Sequence, residues 1–195
     1  MLRDRSATVV VRDVDTDLVT RAQGGDRAAF GLLAAELATR FLAVSRRILR
    51  DLDLAEDATQ QALVAIWRDL PQLRDPARFD AWSYRVLVRA CYTEGRRTRH
   101  WTPNLRVLPA DEPASFGGLD DVMHRDQLER AIRRLSVDHR TVLVLHYYAD
   151  IPVDRVAQIL EIPVGTVFSR LHHAMRTMRA ALDADARPAA REASR

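Results

Sequence analysis

The chain has 195 residues, enough for one large or two small domains, and 47% hydrophobic with 29% charged residues is the composition of a folded protein. Its single cysteine, Cys91, excludes an internal disulfide and a cysteine-rich zinc site. The first residues are charged, and no continuous apolar run reaches the roughly 18 residues of a bilayer-spanning helix. We therefore expect a cytoplasmic protein with no signal peptide and no membrane insertion.

The net charge of +3 is small, but it is unevenly distributed along the chain. Residues 82–106 contain six arginines and one acid, and residues 163–182 contain three arginines and no acid. Residues 51–61 contain four acids and no base, and residues 109–126 contain five acids and one arginine. Alternating basic and acidic blocks of this kind indicate separate surfaces for separate partners.

The first predicted elements are two helices that follow a tail at residues 1–14. Asp15 is a candidate N-cap for a short helix that ends at the glycine pair 24–25. Asp26 is placed to cap a longer helix, in which apolar residues recur every three or four positions. This stripe should lie in the core: Phe30, Leu33, Leu37, Phe41, Val44 and Ile48.

A third helix is predicted from about 53 to 70, before Pro71, and a fourth from about 77 to 97. Opposite its apolar side, the third helix presents an acidic and polar face made of Asp53, Glu56, Asp57, Gln60 and Gln61. Together the four helices form a first domain at residues 15–99.

Helical periodicity is absent from residues 100–122, where prolines and glycines are typical of a flexible linker. It resumes in a second domain at residues 123–182, whose last helix is expected to end near 182, before a frayed tail at 183–195. The predicted fold class is therefore all-α, with two small helical domains joined by a flexible linker.

The second domain contains the layout of a helix-turn-helix between Pro152 and Arg179, with a short helix, a brief break and a basic helix. In such a unit the start of the second helix enters the major groove of DNA. Phe168 is either a core residue or a contact to a thymine methyl group. The candidate DNA-facing residues are Gly165, Thr166, Phe168, Ser169, Arg170, His172, His173 and Arg176.

The fourth helix interleaves aromatic residues with arginines, a pattern that suits an unpaired nucleic-acid strand because bases stack on rings while arginines bind phosphates. Phe79 and Trp82 could instead belong to the core, whereas Tyr92 is better placed to stack. The candidate strand-binding residues are Trp82, Arg85, Arg89, Tyr92, Arg96, Arg97 and Arg99.

No pattern typical of an enzyme is present in the sequence. Its six histidines lack metal-ligand spacing, Cys91 has no neighbouring base, and there is no phosphate-binding loop or dinucleotide fingerprint. We expect no catalytic residues, no metal and no cofactor.

Several ordered motifs resemble the extracytoplasmic-function (ECF) subfamily of the sigma-70 family of RNA polymerase sigma factors. Between residues 15 and 182 the resemblance covers nearly the whole chain. The motifs are residues 23–30 (QGGDRAAF), 53–61 (DLAEDATQQ) followed by Trp67, 79–82 (FDAW) leading to Arg96 and Arg97, 143–148 (LVLHYY), and 165–171 (GTVFSRL).

The resemblance implies a sigma factor that binds core RNA polymerase and directs promoter-specific initiation. In the first domain (sigma region 2), the 53–61 face would bind the clamp helices of the largest polymerase subunit, and the 82–99 strip would recognise and open the −10 element. In the second (sigma region 4), the 164–176 helix would read the −35 element, close to the polymerase flap. The resemblance also implies that an anti-sigma factor sequesters the protein.

Four residues depart from the pattern of the family. Arg89 and Thr93 stand where Asn and Asp are frequent, Glu161 replaces a frequent Gly, and Phe168 replaces a common Lys. The promoter preference therefore cannot be copied from relatives. The rival interpretation is a free-standing helix-turn-helix regulator of duplex DNA, which leaves the acidic face and the arginine–aromatic strip without a role. A protein-binding scaffold would leave both basic blocks unexplained.

Overall fold

The computed structural model describes residues 14–97 and 127–192, with side chains as far as 184. Within those ranges the chain forms helices and turns and no strand, as the all-α prediction requires. Most of the predicted tail, the predicted linker and Arg99 lie outside the described residues. The helices are α1 (Thr16–Gln23), α2 (Arg27–Leu49), α3 (Leu52–Asp69), α4 (Phe79–Arg97), α5 (127–133), α6 (Val137–Leu143), α7 (Val153–Leu160) and α8 (Val164–Glu192).

Aspartate side chains cap the first three helices, because they accept hydrogen bonds from amides that have no partner inside the helix. Asp15 caps α1, and Asp26 caps α2 by accepting from the amides of Ala28 and Ala29 at 2.9 and 3.0 Å. Asp51 caps α3 by accepting from the amide of Leu54 at 3.0 Å. The helix starts therefore lie within one or two residues of their predicted positions.

Helix α2 forms the centre of the first domain and packs against α1, α3 and α4. The stripe predicted for the core is buried from Leu33 to Ile48, while Phe30, at its start, is only partly covered. The ring of Phe41 packs 5.6 Å from that of Tyr84, which joins α2 to α4. Ile66 brings α3 into the same core.

By length and mean hydropathy alone α2 could cross a membrane, although charged residues interrupt its apolar sequence, as expected. A soluble core helix meets the same criterion. The apolar stripe of α2 packs against its neighbours, and the helix also buries Arg40 and Ser45. We therefore assign α2 as the core helix of the domain.

The second domain consists of α5 to α8, with a π-helical segment, Val144–Tyr148, directly after α6. Helices α5 and α8 share a small core that includes Ala131, Leu135 and Ala174. The backbone of α8 remains helical to Glu192, whereas the sequence predicted an end near 182. Four of the ten added residues are alanine, the strongest helix former, and the helix continues although Pro188 stands within it.

The two domains pack against each other, although the sequence predicted a flexible connection between them. Helix α4 contacts α7, and α2 contacts α6 and the π-helical segment. The guanidinium carbon of Arg47 lies 3.5 Å from the centroid of the Tyr148 ring, and Arg50 forms an ion pair with Glu129. One apolar cluster includes residues of both domains.

Replacing Phe41 with alanine should lower the free energy of unfolding by about 3–5 kcal/mol, because the change leaves a cavity in the core. Leu32 is the matched control: it lies on the same helix but is 64% exposed, so Leu32→Ala should change stability by no more than about 0.5 kcal/mol. Urea denaturation followed by circular dichroism measures both values. Equal losses would contradict the assigned core.

Candidate functional site

All five residues predicted on the acidic face of α3 are exposed on one side of the first domain. Gln61 also donates a hydrogen bond to Glu94 of α4 at 2.6 Å, so it links the two helices. The exposed face continues towards the end of α3 with two large apolar side chains, Val64 (59% exposed) and Trp67 (45% exposed). The ring of Trp67 packs edge-on against Phe30 at 4.5 Å.

Val64 and Trp67 were not among the predicted site residues, although Trp67 belonged to the motif. Their spacing from Asp57 and Gln60, three or four residues at each step, places all four on one helix face. Two exposed apolar side chains next to the acids favour a protein-binding surface over a face that only contacts water. The α3 surface, defined as the predicted acidic face together with Val64 and Trp67, is therefore both charged and apolar.

Helix α4 divides its aromatic residues between two environments. Phe79 and Tyr84 are buried, and Trp82 is half-buried with its ring 5.9 Å from that of Phe79. Arg89 is exposed, whereas Arg85 is partly covered. This sidedness is that of an amphipathic helix with its apolar face in the core.

Tyr92 lies partly buried between α4 and the second domain, where Thr141 and Asp138 of α6 are among its neighbours. Burial raises the pKa of Tyr92 to about 12, so the phenol is protonated near neutral pH. The ring predicted to stack on a base is therefore covered by the second domain in this structure. Arg85 and Arg89 are also bound, since both pair with Glu161 at 3.0 and 2.9 Å.

The basic end of α4 surrounds a buried carboxylate. Glu94 is only 2% exposed, and it accepts hydrogen bonds from Gln61 and from Arg97, the latter at 3.0 Å. A buried charge requires such partners. Arg97 therefore has a structural contact within α4, whereas Arg96 extends into solvent. The sequence contained no signal for the role of Glu94, the one acid among the arginines.

Helices α7 and α8 form the predicted helix-turn-helix. Val156 and Ala157 of α7 are buried with Val167 and Leu171 of α8, and they hold the two helices together. Glu161 ends α7 in the left-handed conformation, with φ 55° and ψ 41°. The exposed residues at the start of α8 include Phe168, which is 58% exposed and lies outside the core. The others are Gly165, Ser169, His172, His173 and Arg176.

Several of the predicted DNA-facing residues are involved in local contacts. The amide of Thr166 donates to the carbonyl of Pro163 at 2.9 Å, so at the start of α8 the amide of Gly165 is the better candidate to bind a DNA phosphate. Arg170 is partly covered and lies 3.4 Å from a carboxylate oxygen of Asp138. Arg176 lies 3.1 Å from Nδ1 of His173.

Among the residues that the structure describes, no group of three or more histidine, cysteine or acidic side chains is arranged to hold a metal ion. The thiol of Cys91 is buried against Ser45 at 3.4 Å, and burial raises its pKa to about 11. Cys91 is therefore a protonated core residue near neutral pH.

Two family profiles match the chain, Sigma-70 region 2 at residues 33–101 and Sigma-70 region 4 at residues 125–178. The chain belongs to the sigma-70 family. The RNA polymerase sigma-H factor of Pseudomonas aeruginosa is 30% identical, with 95% of this chain and all of that protein covered. The ECF RNA polymerase sigma-E factor of Escherichia coli K12 is 28% identical over 82% of this chain and 90% of that protein.

Solved structures share the fold. CnrH in complex with the cytosolic domain of CnrY matches with a TM-score of 0.68 and 24% identity, covering 89% of this chain and 99% of CnrH. The sigma factor RpoE from Bartonella quintana, in complex with the anti-sigma factor NepR, matches with a TM-score of 0.62 and 24% identity, covering 80% and 98%. The arrangement of helices is thus that of known sigma factors.

The chain is accordingly a polymerase-binding sigma factor of the ECF kind, and the free-standing regulator is not favoured. Sigma factors bind core RNA polymerase and promoter DNA, and they are not enzymes. Region 2 contains α3 and α4, and the region 4 match includes the helix-turn-helix.

Region 4 also contains a pair of stacked histidines, His139 and His173, whose ring centroids are 5.8 Å apart. Burial, the nearby His173 and then Arg170 hold the pKa of His139 below its usual range. Replacing His173 with alanine should raise this pKa, because a neighbouring group that can carry positive charge is removed. The pKa of His139 should return only part of the way to its usual range, because the burial of the ring still lowers it.

An NMR titration of the His139 ring protons measures this pKa. His172→Ala is the control, because it also removes an exposed histidine from α8 but not the one stacked on His139. An identical shift in both variants, or none in His173→Ala, would contradict the predicted coupling.

Proposed function

We propose that the α3 surface binds the clamp helices of the largest subunit of core RNA polymerase. Asp53, Glu56, Asp57 and Gln60 are exposed and suit a basic partner helix. Next to them, Val64 and Trp67 offer apolar area that a folded partner would cover. An interface with an apolar part and a charged rim is typical of protein–protein recognition.

In the same proposal, α4 recognises and opens the −10 element through Trp82, Arg85, Arg89, Tyr92, Arg96, Arg97 and Arg99. The α8 start reads the −35 element through Gly165, Thr166, Phe168, Ser169, Arg170, His172, His173 and Arg176. Region 4 lies near the polymerase flap when bound. The domain limits are 15–99 for region 2 and 123–182 for region 4.

The exposure of the α3 surface is the observation that carries the polymerase-binding role. A regulator that needed only duplex DNA would have no use for an acidic and apolar helix face on a second domain. We further propose that the protein acts in the cytoplasm, catalyses no reaction and uses no cofactor. An anti-sigma partner is proposed because RpoE, a structural neighbour, was solved in complex with the anti-sigma factor NepR.

Reversing one charge on the α3 surface, by Glu56→Arg or Asp57→Arg, should weaken association with core polymerase by about tenfold or more, because like charges then face each other across the interface. Asp17→Arg is the control, since it reverses an exposed acid on α1 of the same domain. Fluorescence anisotropy of the labelled protein titrated with core polymerase measures the affinity. Wild-type affinity in both α3 variants would place the polymerase surface elsewhere.

Replacing Arg176 with alanine should weaken binding of the holoenzyme to promoter duplex by about 1–3 kcal/mol if its guanidinium reads a base edge. Binding to several −35 sequences distinguishes two kinds of contact. If Arg176 contacts a base, the variant no longer discriminates at one position of the element; if it contacts a phosphate, the variant binds all sequences more weakly by the same factor. Unchanged binding to every sequence would remove Arg176 from the interface.

A further inference from the structure

Glu161 occupies a backbone position that ordinarily favours glycine. It follows the last residue of α7 with φ 55° and ψ 41°, the left-handed conformation of a helix C-cap. A glutamate in this conformation is strained because its Cβ crowds the backbone, whereas glycine is not. The glutamate therefore carries a conformational cost that the glycine frequent at this position in the family would avoid.

The side chain of Glu161 binds two arginines of the other domain. One carboxylate oxygen lies 3.0 Å from Nη1 of Arg85, and the other lies 2.9 Å from Nη2 of Arg89. Arg85 also donates to the backbone carbonyl of Gln158, in the last turn of α7, at 2.9 Å. The positive charges thus meet both a carboxylate and the negative end of a helix dipole.

These contacts engage the middle of the proposed −10 surface. Arg85, Arg89 and Tyr92 follow one another at spacings of three or four residues; Glu161 pairs with both arginines, and Tyr92 is partly buried next to α6. A cleft of about 460 Å³ remains beside them, lined in part by Trp82 and Arg155.

We propose that Glu161 is an intramolecular latch that holds region 4 on α4 and blocks the single-stranded DNA surface until the protein opens. The carboxylate stands where a DNA phosphate would pair with Arg85 and Arg89, so DNA and Glu161 compete for the same arginines. This inference rests on the proposed role of α4.

The closed arrangement leaves the other two proposed surfaces accessible. Glu56 and Trp67 on α3 are exposed, and so are His172 and Arg176 on α8. Core polymerase can therefore bind α3 while α4 is still covered.

The test compares Glu161→Gly with Asp150→Gly in the full-length chain. Asp150 is the second acidic residue of region 4 found in the left-handed conformation, with φ 54°. It is exposed, and no ion pair with α4 is found for it in the part of the chain that the structure describes. Both substitutions remove one negative charge and relieve the same backbone strain, so neither should impair folding.

Opening is measured by electron paramagnetic resonance between spin labels at Gln72→Cys in region 2 and Ala180→Cys in region 4, both exposed positions. Cys91 stays unlabelled because it is buried and protonated. Glu161→Gly should add a population at longer distance, while Asp150→Gly should keep the wild-type distribution. The same distribution in the two variants would overturn the latch.

Affinity for a fluorescent oligothymidylate, measured without polymerase, tests the occlusion. It should rise roughly threefold to tenfold for Glu161→Gly, because two partly exposed ion pairs contribute only modest coupling. Asp150→Gly should stay near wild type. If Glu161→Gly opens the protein without raising this affinity, the occlusion is wrong and so is the assignment of α4 as the strand-binding helix. If it does not open, the latch alone fails.

Discussion

The two-sided character of α4 is the constraint on which the rest of the structure depends. One side must be buried, because Phe79, Tyr84 and Leu87 complete the core around α2. That burial fixes the rotation of the helix about its axis, since side chains three and four positions apart share a face. Arg85 and Arg89 must then point away from the core of region 2, towards whatever covers that side.

The same constraint explains Glu94. It is buried beside α3 on an otherwise basic helix, and its carboxylate joins Gln61 of α3 to Arg97 of α4. If the partners of a buried charge move away, that charge is left uncompensated, which is costly. The network therefore favours the one relative position of α3 and α4 in which Glu94 keeps both partners. The network lies between the α3 surface and the basic end of α4, and it sets the geometry of one relative to the other.

Sequence periodicity predicted most of this fold because the signals are local. The stripe of α2, the aspartate caps and the small Ala157 at the helix-turn-helix crossing each depend on neighbours within a few positions. The partners of Arg85 and Arg89 could not be predicted in this way, because Glu161 lies more than 70 residues away from either. The sequence did single out Glu161 as unusual in the turn. The sequence did not predict the contact between the domains in which Glu161 pairs with Arg85 and Arg89.

The sequence predicted which side chains face away from their own domain better than it predicted whether the other domain covers them. Tyr92 was predicted to be free to stack on a base, whereas in the structure it is partly buried next to α6. A pattern of residue types reports which side of a helix is free of its own domain. It does not report whether a second domain occupies that side.

The strength of the domain contact decides whether it can regulate binding. Ion pairs exposed to the degree of Arg89 and Glu161, 67% and 53%, contribute about 0–1 kcal/mol each, and salt screens them. The apolar cluster that the domains share, the stacking of Arg47 on Tyr148 and the less exposed pair Arg50–Glu129 add to this, whereas Arg85, Arg89 and Glu161 stay partly exposed to water. Ion pairs of that size bias an equilibrium between closed and open forms without fixing it, so a competing partner of moderate affinity can replace them. The polar and partly exposed Glu161 pairs, unlike the apolar cluster that the domains share, are therefore the part of the contact that such a partner can reverse.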